Sequence, residues 1–102
     1  MCGVYRIINL KSDMAYVDGT DDAEGICASQ RFRLDLGMHP MHSLQEDYSR
    51  TGLELFTIEV VETCDADELA SKVEDWKRRS KEEGLSLYQR IGKRTPSSTG
   101  WR

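Results

Sequence analysis

Tyr5 and Tyr16 stand 11 positions apart in two segments rich in strand formers. A phenol on a strand can position or deprotonate a reacting group, or it can pack with its hydroxyl hydrogen-bonded. Asp18 follows two residues after the second tyrosine, so alternation puts both on one side of a strand. Asp21, Asp22 and Glu24 come next. Such a run suggests a cation site, but DGTDDAE lacks the spacing of a calcium loop. Acids just ahead of a helix also suit its N-terminal dipole. The late stretch SKVEDW, residues 71–76, poses the same question with two acids beside a valine. His39 and His42 have no cysteine or acid at zinc-like spacing, and Pro40 between them suits a helix start.

These residues are carried by a readable series of elements. GVYRIIN (3–9) and MAYVDG (14–19) read as strands joined by the polar turn LKSD. Asp21 or Asp22 is expected to cap a helix that runs to Leu36 and stops at Gly37. A second helix from Pro40 carries Met41, Leu44 and Tyr48 on one stripe. LFTIEVVE (55–62) sets Phe56, Ile58 and Val60 against Thr57 and Glu59, the alternation of a half-buried strand. A long helix follows, with Asp65 as N-cap and Gly84 as stop. On it Leu69, Val73 and Trp76 share a face, extended by Ala66 and Ala70, so Val73 turns inward. Glu74 is rotated about 100° away, toward a flank shared with Arg78 and Lys81.

Composition sets the outer bounds. The 102 residues, 38% hydrophobic and 31% charged, fit one globular domain. No apolar run reaches the roughly 18 residues of a membrane span, and Arg6 interrupts the N-terminal stretch too early for a signal-peptide core. The expected setting is cytoplasmic, with no membrane partner and with Cys2, Cys27 and Cys64 as reduced thiols. Residues 1–71 hold 5 bases and 14 acids, whereas residues 72–102 hold 9 bases and 4 acids. The bases concentrate in Lys77, Arg78, Arg79 and Lys81 and in a tail, 93–102, expected to be flexible, that begins with Lys93 and Arg94. These six are the candidate nucleic-acid contacts, and the fold is expected to end near residue 92.

Gly3-Val4-Tyr5, Tyr16-Val17, Gly37-x-His39, Leu44-Gln45, Trp76 and Tyr88, in that order, resemble a GIY-YIG nuclease domain. The resemblance covers residues 3 to about 88. It implies a small α/β (α+β) fold: a three-stranded antiparallel sheet flanked by helices. It also implies a mechanism in which the first tyrosine helps to activate water and the second positions the phosphate. An arginine on the first helix, often with a histidine one turn later, stabilises developing charge, and a glutamate three residues before the late aromatic holds one divalent metal. Phosphodiester hydrolysis needs such parts because charge accumulates on phosphoryl oxygens.

Carried over residue by residue, Tyr5 and Tyr16 are kept and most other parts are not. Asp18 replaces the glycine of the second motif, Ile26 the arginine, Gln30 the histidine and Val73 the glutamate. Arg31 and Arg33 read as exposed residues too far round the helix to replace an arginine at 26. The resemblance thus points to a degenerate nuclease-like domain that binds a protein or, weakly and without sequence preference, DNA. No cofactor is expected in that case. The alternative is an active endonuclease using Mg²⁺ or Mn²⁺, with Asp18 and Glu74 as ligands and Arg31 or Arg33 as the cation. A third reading is a non-enzymatic nucleic-acid binder led by residues 77–81 and 93–102.

Overall fold

The computed structural model describes residues 1–88. The expected boundary near 92 and the basic tail, including Lys93 and Arg94, lie outside the described residues. β1 (Gly3–Asn9) and β2 (Met14–Thr20) form the antiparallel hairpin that their composition predicts. Asn9 shapes the turn, its Oδ1 accepting from the amides of Lys11 and Ser12, and Asp13 takes the left-handed conformation at φ 55°. β3 (Phe56–Thr63) pairs antiparallel with the other edge of β1.

The sheet has four strands, not the expected three. β4 (Ser86–Leu87) adds parallel to β2 at Met14 and Ala15, giving the order β3-β1-β2-β4. Two residues are too short for a periodicity to be visible in sequence.

α1 (Ile26–Leu36) and α2 (His42–Thr51) cover one face. There Tyr5, Ile7, Tyr16, Leu34, Leu44, Tyr48 and Phe56 form the larger core. α3 (Leu69–Glu82) covers the other face, where Leu69, Val73 and Trp76 pack on Val4, Ala15 and Val17. The α3 stripe continues forward to the fully buried Ser80 rather than back to Ala66 and Ala70, which are exposed. Ala66–Glu68 is a 3-10 turn, which breaks the α period, and Ala70 lies about 100° round from Leu69.

Helix ends are only partly as expected. α1 closes on Gly37, whose φ of 74° lets its amide and that of Met38 return to Leu34 and Arg33. Its start falls at Ile26 rather than at Asp21 or Asp22. Asp22 instead accepts from the Gly25 amide, holding residues 22–25 as a turn. Asp65 precedes the 3-10 turn without a side-chain capping bond.

Candidate functional site

Alternation along β1 and β2 puts Tyr5, Tyr16 and Asp18 on the α1/α2 face, with Tyr5 paired opposite Asp18 and Ile7 opposite Tyr16. The two phenol rings lie 6.1 Å apart and tilted. The Tyr16 hydroxyl donates to Asp18 Oδ2 at 2.9 Å. Because the carboxylate can only accept, Tyr16 is the donor of that bond, and Tyr16 and Asp18 together act on the neighbouring Tyr5 phenol. Asp18 Oδ1 also accepts from the Gly19 amide at 2.8 Å.

This arrangement fixes the chemistry of Tyr5. The residue is 3% exposed. Burial, and then the nearby Tyr16 and Asp18, push its phenol well above the ordinary range, against a smaller opposing pull from Arg33. A phenol held protonated in this way is a poor base for water at neutral pH.

His39 closes the site beyond Tyr16, ring edge to face at 5.1 Å. Its Nδ1 accepts from the Met41 amide at 3.0 Å. That fixes Nε2 as the protonated nitrogen, which donates to Gln30 Oε1 at 2.6 Å. Burial, helped by the positive charge of Arg33 and opposed by Asp18, brings the imidazole down to about 4, so it is neutral at pH 7. Gln45 completes the network. Its Oε1 accepts from the His39 amide, and its Nε2 donates to the Leu34 carbonyl and the Ser49 hydroxyl. These bonds tie the end of α1 to α2 through buried groups that carry no charge.

Ile26 packs, partly buried, against the core around the tyrosines, and Gln30 stands one turn on as the partner of His39. Arg33 corrects the expectation that it lies too far round. Seven residues make almost two full turns, so positions 26 and 33 share a face. The charge of Arg33 is accordingly felt by both Tyr5 and His39. Arg31 acts elsewhere, on Tyr48.

Val73 belongs to the opposite face. A Cβ on Gly19 would stand 3.1 Å from Val73 Cγ2 and 3.0 Å from Leu69, so Gly19 lets α3 approach β2 closely. Glu74 is exposed and pairs with Lys77 at 3.3 Å rather than with Arg78 or Lys81. Arg78 pairs with Asp75 and Glu82, and Arg79 pairs with Asp75 while lying over the Trp76 ring at 4.7 Å. Lys81 is exposed on the same helix. The basic run is therefore largely balanced by acids of its own helix.

Asp18 and Glu74 are not brought together, since Asp18 faces the tyrosines and Glu74 the outer flank of α3. Among the described residues no group of three His, Cys, Asp or Glu could hold a metal ion. Asp18 alone offers a carboxylate to the tyrosines described above, and both its oxygens already accept hydrogen bonds. The donor set does not fit a divalent cation such as Mg²⁺, which takes oxygen ligands in near-octahedral order. None of the described helices is long and apolar enough to cross a membrane.

The four-stranded sheet with helices on both faces is the fold of a GIY-YIG catalytic domain. The catalytic domain of the homing endonuclease I-TevI matches with a TM-score of 0.71 and 19% identity, over 88% of this chain and 100% of that domain. A point mutant of the intron endonuclease I-TevI catalytic domain matches with a TM-score of 0.69 and 22% identity, over 92% of this chain and 96% of its own. No family model and no curated protein matches the sequence. The likeness is one of fold.

Proposed function

We propose that this chain is a GIY-YIG endonuclease-like domain that has lost phosphodiester cleavage and serves as a binding module for a protein or a nucleic acid. The observation that carries this reading is the Tyr16–Asp18 hydrogen bond beside the buried Tyr5. Tyr16 donates to the carboxylate, burial first of all holds the Tyr5 phenol protonated, and the Asp18 charge opposes an approaching phosphate. Ile26 and Val73, at the positions of the cation and the metal ligand, add packing and no charge. Loss of one such electrostatic group commonly costs on the order of 10² to 10³ in rate. The acids at 18, 21, 22 and 24 and the ion-paired basic run favour a protein partner over DNA.

A second reading has one observation in its favour: Arg33 supplies a positive charge that reaches Tyr5 and His39. An active endonuclease would use it as a relocated cation. The two readings separate in one assay, with purified protein on supercoiled DNA at low salt with Mg²⁺ or Mn²⁺, beside Tyr5→Phe and Arg33→Gln. No nicking above background is expected from any of the three. Metal-dependent nicking that both substitutions abolish would establish the second reading instead.

A further inference from the structure

β3 carries one irregularity with a chemical consequence. Tyr5 opposes Val60 while Val4 opposes Glu62, so Val61 is an extra residue in the ladder. In the shifted register Gly3 opposes Thr63, and the next pair out is Cys2 and Cys64. Their backbones confirm it, since the Cys64 amide donates to the Cys2 carbonyl at 3.0 Å. Without the bulge Cys2 would meet Thr63.

Both thiols point to the α3 side. Val4, two residues from Cys2, packs on that face, and Glu62, two residues from Cys64, accepts from Trp76 Nε1 of α3. The neighbours acting on the Cys64 thiol include that of Cys2 as well as Glu68 and Lys72. Directly opposed residues of an antiparallel ladder have Cα atoms about 4.5–5.5 Å apart. A disulfide spans Cα separations of about 4.4–6.8 Å. The segment is also seated firmly. A Cβ on Gly3 would come within 2.9 Å of the Glu62 carbonyl and 3.2 Å of Ala23, and the Ala23 amide donates to the Met1 carbonyl.

We propose that Cys2 and Cys64 are a redox pair that a small disulfide such as oxidised glutathione converts into a cross-strand disulfide, locking the N-terminal segment onto β3. Cys2 is the half-buried member and meets the reagent first, whereas Cys64 is buried. The Cys2 thiolate attacks one reagent sulfur, forming a mixed disulfide and releasing one glutathione thiolate, which takes up a proton. Cys64, giving its proton to solvent, then attacks the Cys2 sulfur and expels the second glutathione. Two protein S–H bonds are replaced by one S–S bond, and the reagent gains two electrons and two protons. Cys27, the remaining cysteine, belongs to α1 on the other face of the sheet and takes no part.

The test is mass spectrometry of the native protein after incubation with oxidised glutathione. A monomer lighter by about 2 Da, with a peptide map joining Cys2 to Cys64, is the expected result. It should form equally in Cys27→Ser and not in Cys2→Ser, a substitution at a half-buried position that leaves the core intact. The cross-linked monomer should melt higher by roughly 10 °C, because the bond closes a long loop, and dithiothreitol should reverse the shift. A persistent glutathione adduct on Cys2, dimers joined through Cys27, or a cross-link that leaves Tm unchanged would each overturn the proposal.

Discussion

The two faces of the sheet are covered by helices in chemically different ways. On the α1/α2 face the buried polar groups beside Tyr5 and Tyr16 are neutral, and Tyr16, Tyr48 and Tyr88 donate outward to Asp18, Asp35 and Asp47. Tyr16 donates to Asp18, the Met41 amide donates to His39, and His39 donates to Gln30. On the α3 face the centre is a charge. Arg6, 8% exposed, donates to Ser80, Glu83 and Glu59 and lies 5.4 Å from the Trp76 ring centre, which Arg79 also covers. Among the described residues its buried Nε has no hydrogen-bond partner. The face that carries Tyr5 and Tyr16 is thus the quieter one, and the strongest electrostatics hold a helix on the sheet.

The largest effect expected from breaking this contrast is at Arg6. Arg6→Ala should lower stability by about 3 kcal/mol in urea unfolding, through a cavity under Trp76 and the loss of the donor to the buried Ser80 hydroxyl, which keeps only its own bond to the Trp76 carbonyl. Arg6→Met should cost about half as much, since it keeps the packing, removes the orphaned Nε and leaves acids that are half exposed and able to rehydrate. If the two variants are equally weak, the charge rather than the stem holds α3.

Val73→Glu tests whether the packing between α3 and the sheet can open to water. The half-buried valine faces Gly19 and Val4. A loss of about 2 kcal/mol is therefore expected, with no rise in Tm on adding Mg²⁺. A metal-dependent rise would mean that this face retains a ligand pocket.

The smallest effect concerns pH. The His39 imidazole titrates at about 4 in the folded chain against about 6.5 unfolded. The unfolded chain therefore binds the extra proton first, and stability is lost as pH falls from about 6.5 toward 4, not as it rises. The difference in acid sensitivity between the native chain and His39→Leu should be about 1–2 kcal/mol at pH 4.5. Arg33→Gln should narrow it and raise the His39 titration seen by NMR, because the Arg33 charge helps to hold the imidazole neutral.

What was legible in the sequence followed from periodicity. Phe56, Ile58 and Val60 marked β3, and Leu69, Val73 and Trp76 marked the inward side of α3, which settled that Val73 and not a carboxylate faces the sheet. Glycine stops at 37 and 84 were equally plain, both with positive φ. Lost to sequence reading were features set by tertiary contacts. β4 has no period of its own, the Asp22 turn delays α1, and the extra residue at Val61 depends on pairing with β1. Arg33 was a different kind of miss, since its sevenfold offset from Ile26 could have been read from helix geometry alone. His39 was weighed as a zinc ligand, as part of a helix start and as one of the ordered motif residues, but without a partner. Its partner Gln30 lies nine residues earlier, and only the turn at Gly37 brings them together.

Arg6 also bears on the order in which the domain can be completed. Its partners Ser80 and Glu83 lie 74 and 77 residues further along the chain. A polypeptide emerging from the ribosome presents β1 and β2 first, and a two-stranded hairpin is marginal in water on its own. β1 then waits for β3 on one edge and for α3 over its charged face. Cooperative folding therefore belongs to the moment after the last helix has left the exit tunnel. Until then the guanidinium that will be buried under Trp76 stays in water, and the cost of taking it out is met only when Ser80, Glu83 and the indole arrive together.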